Sequence, residues 1–291
     1  MQEIEQGIFI ENSFPGVTVG ALVLPHGTIL IDAPLRIEDV RSWRATLINQ
    51  GSTMNRLLVN LDAHPDRTLG VRALESTIIA HQKTAQVFRS RPSVFKGQAM
   101  DTGAEWETYN DAVGTRWAIP DITFNTRIEL HWGPPDVILE HHPGSAQGAI
   151  WAIVPESRVI FVGDCVVLNQ PPFLTHADIP TWIESLELLI ASYRDFTIIS
   201  GRGGAATIEA VRFQHKSLKS ILRGMDRLSR RNASPEAAEG LASKLIAEMS
   251  FSSHLEEQYV QRLRHGLSQY YARHYRPTDG SSMSRQPENE T

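Results

Sequence analysis

Residues 17–32 read VTVGALVLPHGTILID, two apolar runs joined by Pro25-His26-Gly27, and the segment that follows has a helical period instead of a third hairpin strand. This change of period decides the fold class. Two β-rich runs around a turn form a hairpin, and residues 37–50, with Ile37, Val40, Trp43, Leu47 and Ile48 at helical spacing, form an amphipathic helix. Residues 56–61 return to an apolar strand, and a strand at 76–80 leads into a helix at 82–90. From residue 122 the pattern is strand after strand, at 122–130, 137–140, 149–154 and 159–162, with turns at Pro134-Pro135, Pro143-Gly144 and Pro155-Glu156. A helix at 179–194 and a strand at 196–200 complete it. Two such halves predict an α/β fold, an αββα four-layer sandwich in which two sheets face each other and helices cover their outer sides. A chain of 291 residues that is 41% hydrophobic is long enough to bury such a core.

After Gly204 the period stays helical to residue 275, interrupted at Asn232-Ala233-Ser234-Pro235, where Ser234 can cap and Pro235 can open a helix. The expected organisation is therefore an αββα domain over 1–215 and a C-terminal helical extension over 216–275 packed on it. Residues 276–291 form a tail without apolar periodicity, expected to be disordered. Residues 92–120, with Pro92, Gly97, Gly103, Gly114 and Pro120, read as a loop or short helix over one face, in the manner of a lid. Trp106, Tyr109 and Trp117 within it can line a pocket, with core packing the default reading.

A net charge of −5, with no Lys/Arg run longer than Arg230-Arg231, gives no field for a nucleic-acid backbone. The N-terminus MQEIEQGIFI lacks a basic segment before an apolar one, and no window approaches the ~20 apolar residues of a membrane span. The chain is read as cytoplasmic, without membrane partners. The single cysteine, Cys165, excludes an intramolecular disulfide and reads as a small buried hydrophobe. His141, His176, His215, His254, His265 and His274 read as solvated or structural, and the basic stretch 216–231 as a solvated helix face.

The loop after the 56–61 strand, NLDAHPDRTLG, carries Asp62, His64 and Asp66 within five positions, the density of a metal-binding loop. The next residue is Arg67, and a guanidinium cannot ligate a cation. Three more loops fall at strand ends: His142-Pro143-Gly144-Ser145-Ala146-Gln147-Gly148, Gly163-Asp164, and Ser200-Gly201-Arg202-Gly203-Gly204. With the early GTILIDAP, they resemble the metallo-β-lactamase superfamily over roughly residues 5–215. In that family the loops read HxHxDH, PGHTxG, GD and PGHG, and seven residues hold two metal ions.

The resemblance implies a hydrolase-like protein with a degenerate site. The family's ligand positions fall on Asp62, His64, Asp66, Arg67, Ser145, Asp164 and Arg202, so both histidines of the second metal site are arginine and that site should be metal-free. Asp62, Asp66 and Asp164 opposite Arg67 and Arg202 approach neutrality with nothing bound, and a protonated His64 would complete it. The expected cofactor is none, or one divalent ion (Mn, Fe, Mg or Zn) at Asp62, His64 and Asp164, with His142 a less favoured ligand and Ser145 a poor one. Asp66 is read as a general base, as the cap of a helix starting at Arg67, or both; Asp32 is read as a turn residue. Two functions follow. One is a hydrolase with at most one metal, acting on a small anionic ester, lactone or thioester-like substrate, with Asp66, Arg67 and Arg202 catalytic and Ser145, Arg67 and Arg202 on the substrate. The other is a non-catalytic ligand- or partner-binding descendant in which the arginines hold an anionic group. A salt-bridge network with no ligand is the third reading.

Overall fold

The structure is a computed structural model that describes residues 1–53, 55–97 and 110–275. Trp106, Tyr109 and the tail 276–291 lie outside the described residues.

The first half of the chain builds a seven-stranded sheet from β1 (Gln2–Glu5), β2 (Ile8–Glu11), β3 (Val19–Leu24), β4 (Gly27–Ile31), then β5 (Arg56–Val59), β6 (Thr77–His81) and β7 (Ile122–Phe124), in that spatial order. The pairs from β1 to β4 are antiparallel; those from β4 to β7 are parallel. Parallel neighbours need crossovers, and α1 (Ile37–Asn49), the four-residue α2 (Pro65–Thr68) and α3 (Gln82–Ser90) lie in those connections. The second sheet runs β8 (Arg127–Leu130), β9 (Val137–His141), β10 (Ile150–Val154), β11 (Val159–Val167), β12 (Thr197–Arg202) and β13 (Ala205–Ala206). Among the described residues its one parallel pair is β11 with β12, joined through α4 (Ile179–Ser192). Helices α5 (Ile208–Arg230), α6 (Ala242–Ala247) and α7 (Glu256–Tyr275) follow.

Side-chain alternation assembles the layers. Ile29, Ile31, Leu57 and Val59 point to one face and meet Leu139, Ile150, Ala152 and Phe161 of the second sheet. Leu30 and Leu58, one residue out of step, point to the other face and pack under Val40, Trp43 and Leu47 of α1. On the second sheet Trp151, Ile153, Ile160 and Val162 face outward onto Trp182 and Leu186 of α4, Leu218 and Ile221 of α5, and Leu263 and Leu267 of α7. A strand repeat of two makes this division unavoidable once both faces of each sheet are apolar.

One expectation changes, and two features are new. The 122–130 run is two strands in different sheets: β7 pairs with β6 and β8 with β9, so the chain changes sheets at Asn125-Thr126. β1 and β2 belong to the first sheet, although IFI is too short a run to announce a strand. The boundary at residue 215 falls inside α5, and the same apolar cluster takes side chains from β10, β11, α4, α5 and α7, so residues 216–275 share a core with the sandwich. No helix among the described residues is long and apolar enough to cross a membrane.

Candidate functional site

The carboxyl ends of β4, β5, β11 and β12 carry Asp32, the Asp62–Arg67 loop, Asp164 and Arg202, and they meet along one edge of the sandwich. Close approach of two strands makes the meeting possible. A Cβ on Gly201 would lie 2.5 Å from the Gly163 carbonyl carbon and 2.6 Å from Asp164 Oδ1, so only glycine lets β12 pass Asp164. Asp32 sits in the left-handed region at φ 57°, where its Oδ1 accepts the Leu61 N–H at 2.9 Å and ties the ends of β4 and β5 together.

Arg67 is fully buried and its guanidinium is surrounded by carboxylates. Nη2 donates to Asp164 Oδ1 and Nη1 to Asp32 Oδ2 at 3.3 Å, while Nε lies 3.4 Å from Asp62 Oδ1 and 3.9 Å from Asp66 Oδ1. Arg202, equally enclosed, donates from Nε to both Asp164 oxygens at 3.1 Å, from Nη2 to Asp164 Oδ2 at 3.1 Å, and from Nη1 to the Gly16 carbonyl at 2.6 Å, with Asp66 Oδ2 at 2.5 Å. Four aspartates thus face two arginines, and all six side chains are buried. Planar guanidinium groups suit this arrangement because each presents several N–H bonds in fixed directions.

The titrations follow from that geometry. Burial works to raise the Asp66 carboxyl, but Arg202, with His64 and Arg67, outweighs it and holds Asp66 below the ordinary carboxylate range. Asp164 is lowered in the same way, against burial, by Arg202 and Arg67. At Asp32 burial prevails over Arg67, and the carboxyl is pushed up to about 7. The aspartates pull the other way on Arg67 and Arg202, raising both guanidinium groups above their usual value despite burial.

His64 joins the cluster through Nδ1, which lies 2.7 Å from Asp66 Oδ1 and 3.2 Å from Arg202 Nη2. An ionised carboxylate only accepts, so the 2.7 Å contact requires a proton on Nδ1. His64 Nε2 is buried and has no hydrogen-bond partner among the described residues. The ring packs on Phe173 at a centroid distance of 4.5 Å, and Phe173 is held between Arg202, at 4.4 Å, and Arg262 of α7, at 4.1 Å.

Above the cluster opens a cavity of about 330 Å³. Asp62, His64 and Asp164 line it, together with residues of the 145–148 loop and of α3, and with Phe173, His176 and Trp182. Neither arginine lines it. The arginines expected to grip an anionic substrate lie beneath the pocket, with their N–H bonds directed at aspartates. Ser145 does line the pocket, with its Oγ buried and unpartnered.

The residues do not fit a divalent ion. A metal needs lone pairs aimed at one point, and the expected trio aims them elsewhere: Asp62 Oδ1 accepts the His64 N–H at 2.8 Å, His64 Nδ1 is turned to Asp66, and both Asp164 oxygens are held by arginine. His142 is stacked on Trp151 at 3.7 Å with Nε2 3.3 Å from Glu140, away from the trio. Among the described residues no group of three or more His, Cys, Asp or Glu is placed to hold a metal. Asp66 does not cap α2 either; His64 occupies the cap position, Pro65 and Asp66 follow inside, and no side-chain cap bond forms.

Asp32, Phe173 and Arg262 were not identified as site residues. GTILIDAP carried the signal for the first, since an acid ending an apolar strand must find a partner. The others belong to segments whose period shows an apolar face without showing what covers it. His176, expected to be solvated or structural, lines the cavity wall.

Two facing sheets with outer helices, and polar residues gathered at one edge, define an αββα sandwich. Comparison with known proteins makes the fold specific. No protein-family model matches the chain. A type 2 metallo-β-lactamase of Pseudomonas aeruginosa is 21% identical over 204 residues, covering 66% of this chain and 73% of the relative. The structure of a metallo-β-lactamase from Pontibacter korlensis matches with a TM-score of 0.58 at 16% identity, over 75% of this chain and 97% of the other. A stereoselective inverting sec-alkylsulfatase, Pisa1, from Pseudomonas sp. matches with a TM-score of 0.64 at 13% identity, over 98% of this chain and 51% of that protein. The chain has the fold of the metallo-β-lactamase superfamily.

Proposed function

We propose that this chain is a metal-independent hydrolase of small, uncharged esters or lactones, with His64 as the general base. One observation carries the reading: His64 lines the pocket and its Nδ1 lies 2.7 Å from Asp66 Oδ1, so a carboxylate orients the ring, while Nε2 is buried without a hydrogen-bond partner among the described residues. This is how a carboxylate orients a catalytic imidazole elsewhere. Arg67 and Arg202 supply the positive charge that keeps Asp66 and Asp164 ionised in a dry interior, a structural task that metal ions perform in the resembling family. Uncharged substrates are favoured because the pocket presents carboxylates and, among the described residues, no arginine or lysine lines it. A volume of about 330 Å³ suits a small acyl group.

The test is hydrolysis of short-chain p-nitrophenyl esters and γ-lactones by chain dialysed against EDTA, with metal content measured on the same sample. Turnover should survive dialysis, and His64→Asn should lower it by about 100-fold or more. Equal rates for His64→Asn and the natural chain would remove His64 from the chemistry. A binding body without turnover is the second reading, favoured by the engagement of both arginines within the cluster; it would show as saturable ester binding with no hydrolysis.

A further inference from the structure

We infer that His81 is a pH-sensitive latch on the pocket: neutral, it holds α3 against the 145–148 loop, and protonated, it lets these two walls part. The inference goes beyond the hydrolase reading and does not depend on turnover.

His81 ends β6 and immediately precedes α3, so it stands where the first sheet hands the chain to one wall of the pocket. His141 ends β9 in the second sheet. The two rings stack with centroids 3.7 Å apart and planes 8° from parallel. Each ring also holds a neighbouring segment. His81 Nε2 lies 2.7 Å from the Asn125 carbonyl, where the chain changes sheets, and His141 Nε2 lies 2.9 Å from the carbonyl of Gln147 in the pocket loop. Beside the stacked pair, Thr84 Oγ1 of α3 donates to the Gly148 carbonyl at 3.0 Å. The seam between the walls is close: a Cβ on Gly148 would lie 2.6 Å from the Thr84 backbone nitrogen.

His81 fills this place in one protonation state. Its Nδ1 accepts the Lys83 N–H at 3.2 Å, which caps the start of α3, so Nδ1 carries no proton and Nε2 carries the one donated to Asn125. A proton added to Nδ1 would set one N–H against another and remove the cap. It would also put a positive charge at the positive end of a helix.

The surroundings oppose that charge. Lys83 of α3 and the His141 ring of β9 both act against it. Glu140 of β9 is engaged elsewhere, 3.2 Å from Arg127 of β8 and 3.3 Å from His142. Phe124 of β7 meets the ring edge-on at 5.9 Å, and neither Asn125-Thr126 nor the 145–148 loop brings an ionisable side chain. Burial, helped by His141 and Lys83, outweighs the bond to Asn125 and holds His81 below its ordinary value of 6.5. An opened latch frees the ring to titrate at that ordinary value. The closed form is therefore fully favoured above it and loses ground as pH falls through it toward the lowered value. Local opening of this kind requires far less than global unfolding.

The experiment is amide hydrogen exchange of the full chain, read by peptide mass spectrometry at about pH 7.5 and about pH 5 and corrected for intrinsic rates. Peptides covering 82–90 and 142–149 should lose protection by about tenfold or more at the lower pH, while α5 keeps its own. His81→Asn supplies a cap acceptor and an N–H donor that do not titrate in this range, so its protection should be the same at both pH values. His81→Ser, a smaller cap, repeats the test should His81→Asn misfold. Unchanged protection in the natural chain would overturn the latch. So would an equal loss in the variants, which moves the titration to another group, or a loss shared by α5, which is unfolding of the whole domain.

Discussion

Arg67 does at the residue scale what no lysine could. Its three nitrogens reach Asp32, Asp62, Asp66 and Asp164 from one buried position, whereas an ammonium group is a single point charge on a flexible stem. Arg67→Met should therefore lower unfolding free energy by on the order of 3–5 kcal/mol, since it leaves buried carboxylates uncompensated. Arg67→Lys should recover only part of that loss in chemical denaturation. The acids also give stability a pH signature. Asp66 and Asp164 are held below the ordinary carboxylate value, so the stability they contribute is present above about pH 4 and is lost as pH falls through their folded values. Asp32 has the opposite sign: raised from 3.8 to about 7, it takes up a proton on folding, and stability falls as pH rises between those values. Melting temperature measured from pH 3 to 8 should thus pass through a maximum in the mildly acidic range. Asp32→Asn should flatten its neutral side and leave the acid side in place. An unchanged profile in that variant would assign the neutral-side slope to another group.

At the scale of elements, the parallel β11–β12 pair sets the site, because it delivers Asp164 and Arg202 side by side. Gly201→Ala would push a methyl group into the Gly163 backbone and Asp164 Oδ1, and should cost on the order of 1–3 kcal/mol, or more if the strands cannot separate. The loss should be read against Gly240→Ala, where a Cβ meets nothing within 4 Å and stability should change little. Much at this scale was legible in the sequence. The hairpin of β3 and β4, the helical spacing of Val40, Trp43 and Leu47, and the loops after β5 and β9 stand where pattern and turn chemistry put them, whereas Gly163-Asp164 and Ser200–Arg202, expected as loops, lie within β11 and β12. What escaped depended on distant partners. Periodicity identifies the buried face of α7 but cannot say that Arg262 on it lies over Phe173, and nothing in the run 122–130 tells β7 and β8 that they belong to different sheets. The site was half legible for the same reason: the identities of Arg67 and Arg202 signalled charge replacement, but their sinking below the pocket is a property of packing.

On the scale of the whole molecule, the sandwich holds together two sheets whose facing edges each bring acids to one place, and some cation has to join them. Here the cations are covalently part of the chain. Exchanging them for metal tests whether the loops keep the geometry of the family they resemble. Asp62→His, Arg67→His, Ser145→His and Arg202→His together restore the family's ligand set while removing both guanidinium groups. Without metal, Asp32, Asp66 and Asp164 would lose their counter-charges, so the apo variant should melt well below the natural chain. Zinc bound only by the folded form would then stabilise it by mass action, by about 2.7 kcal/mol at a hundredfold excess over the dissociation constant. The expected result is a quadruple variant whose melting temperature rises steeply with zinc toward that of the natural chain, whose own melting temperature zinc leaves unmoved. Calorimetric titration should count two ions in the variant. If the variant folds but ignores zinc, the backbone at the ends of β5 and β12 has moved away from ligand geometry, and the arginines are then components of a rebuilt interior instead of substitutes within an unchanged one.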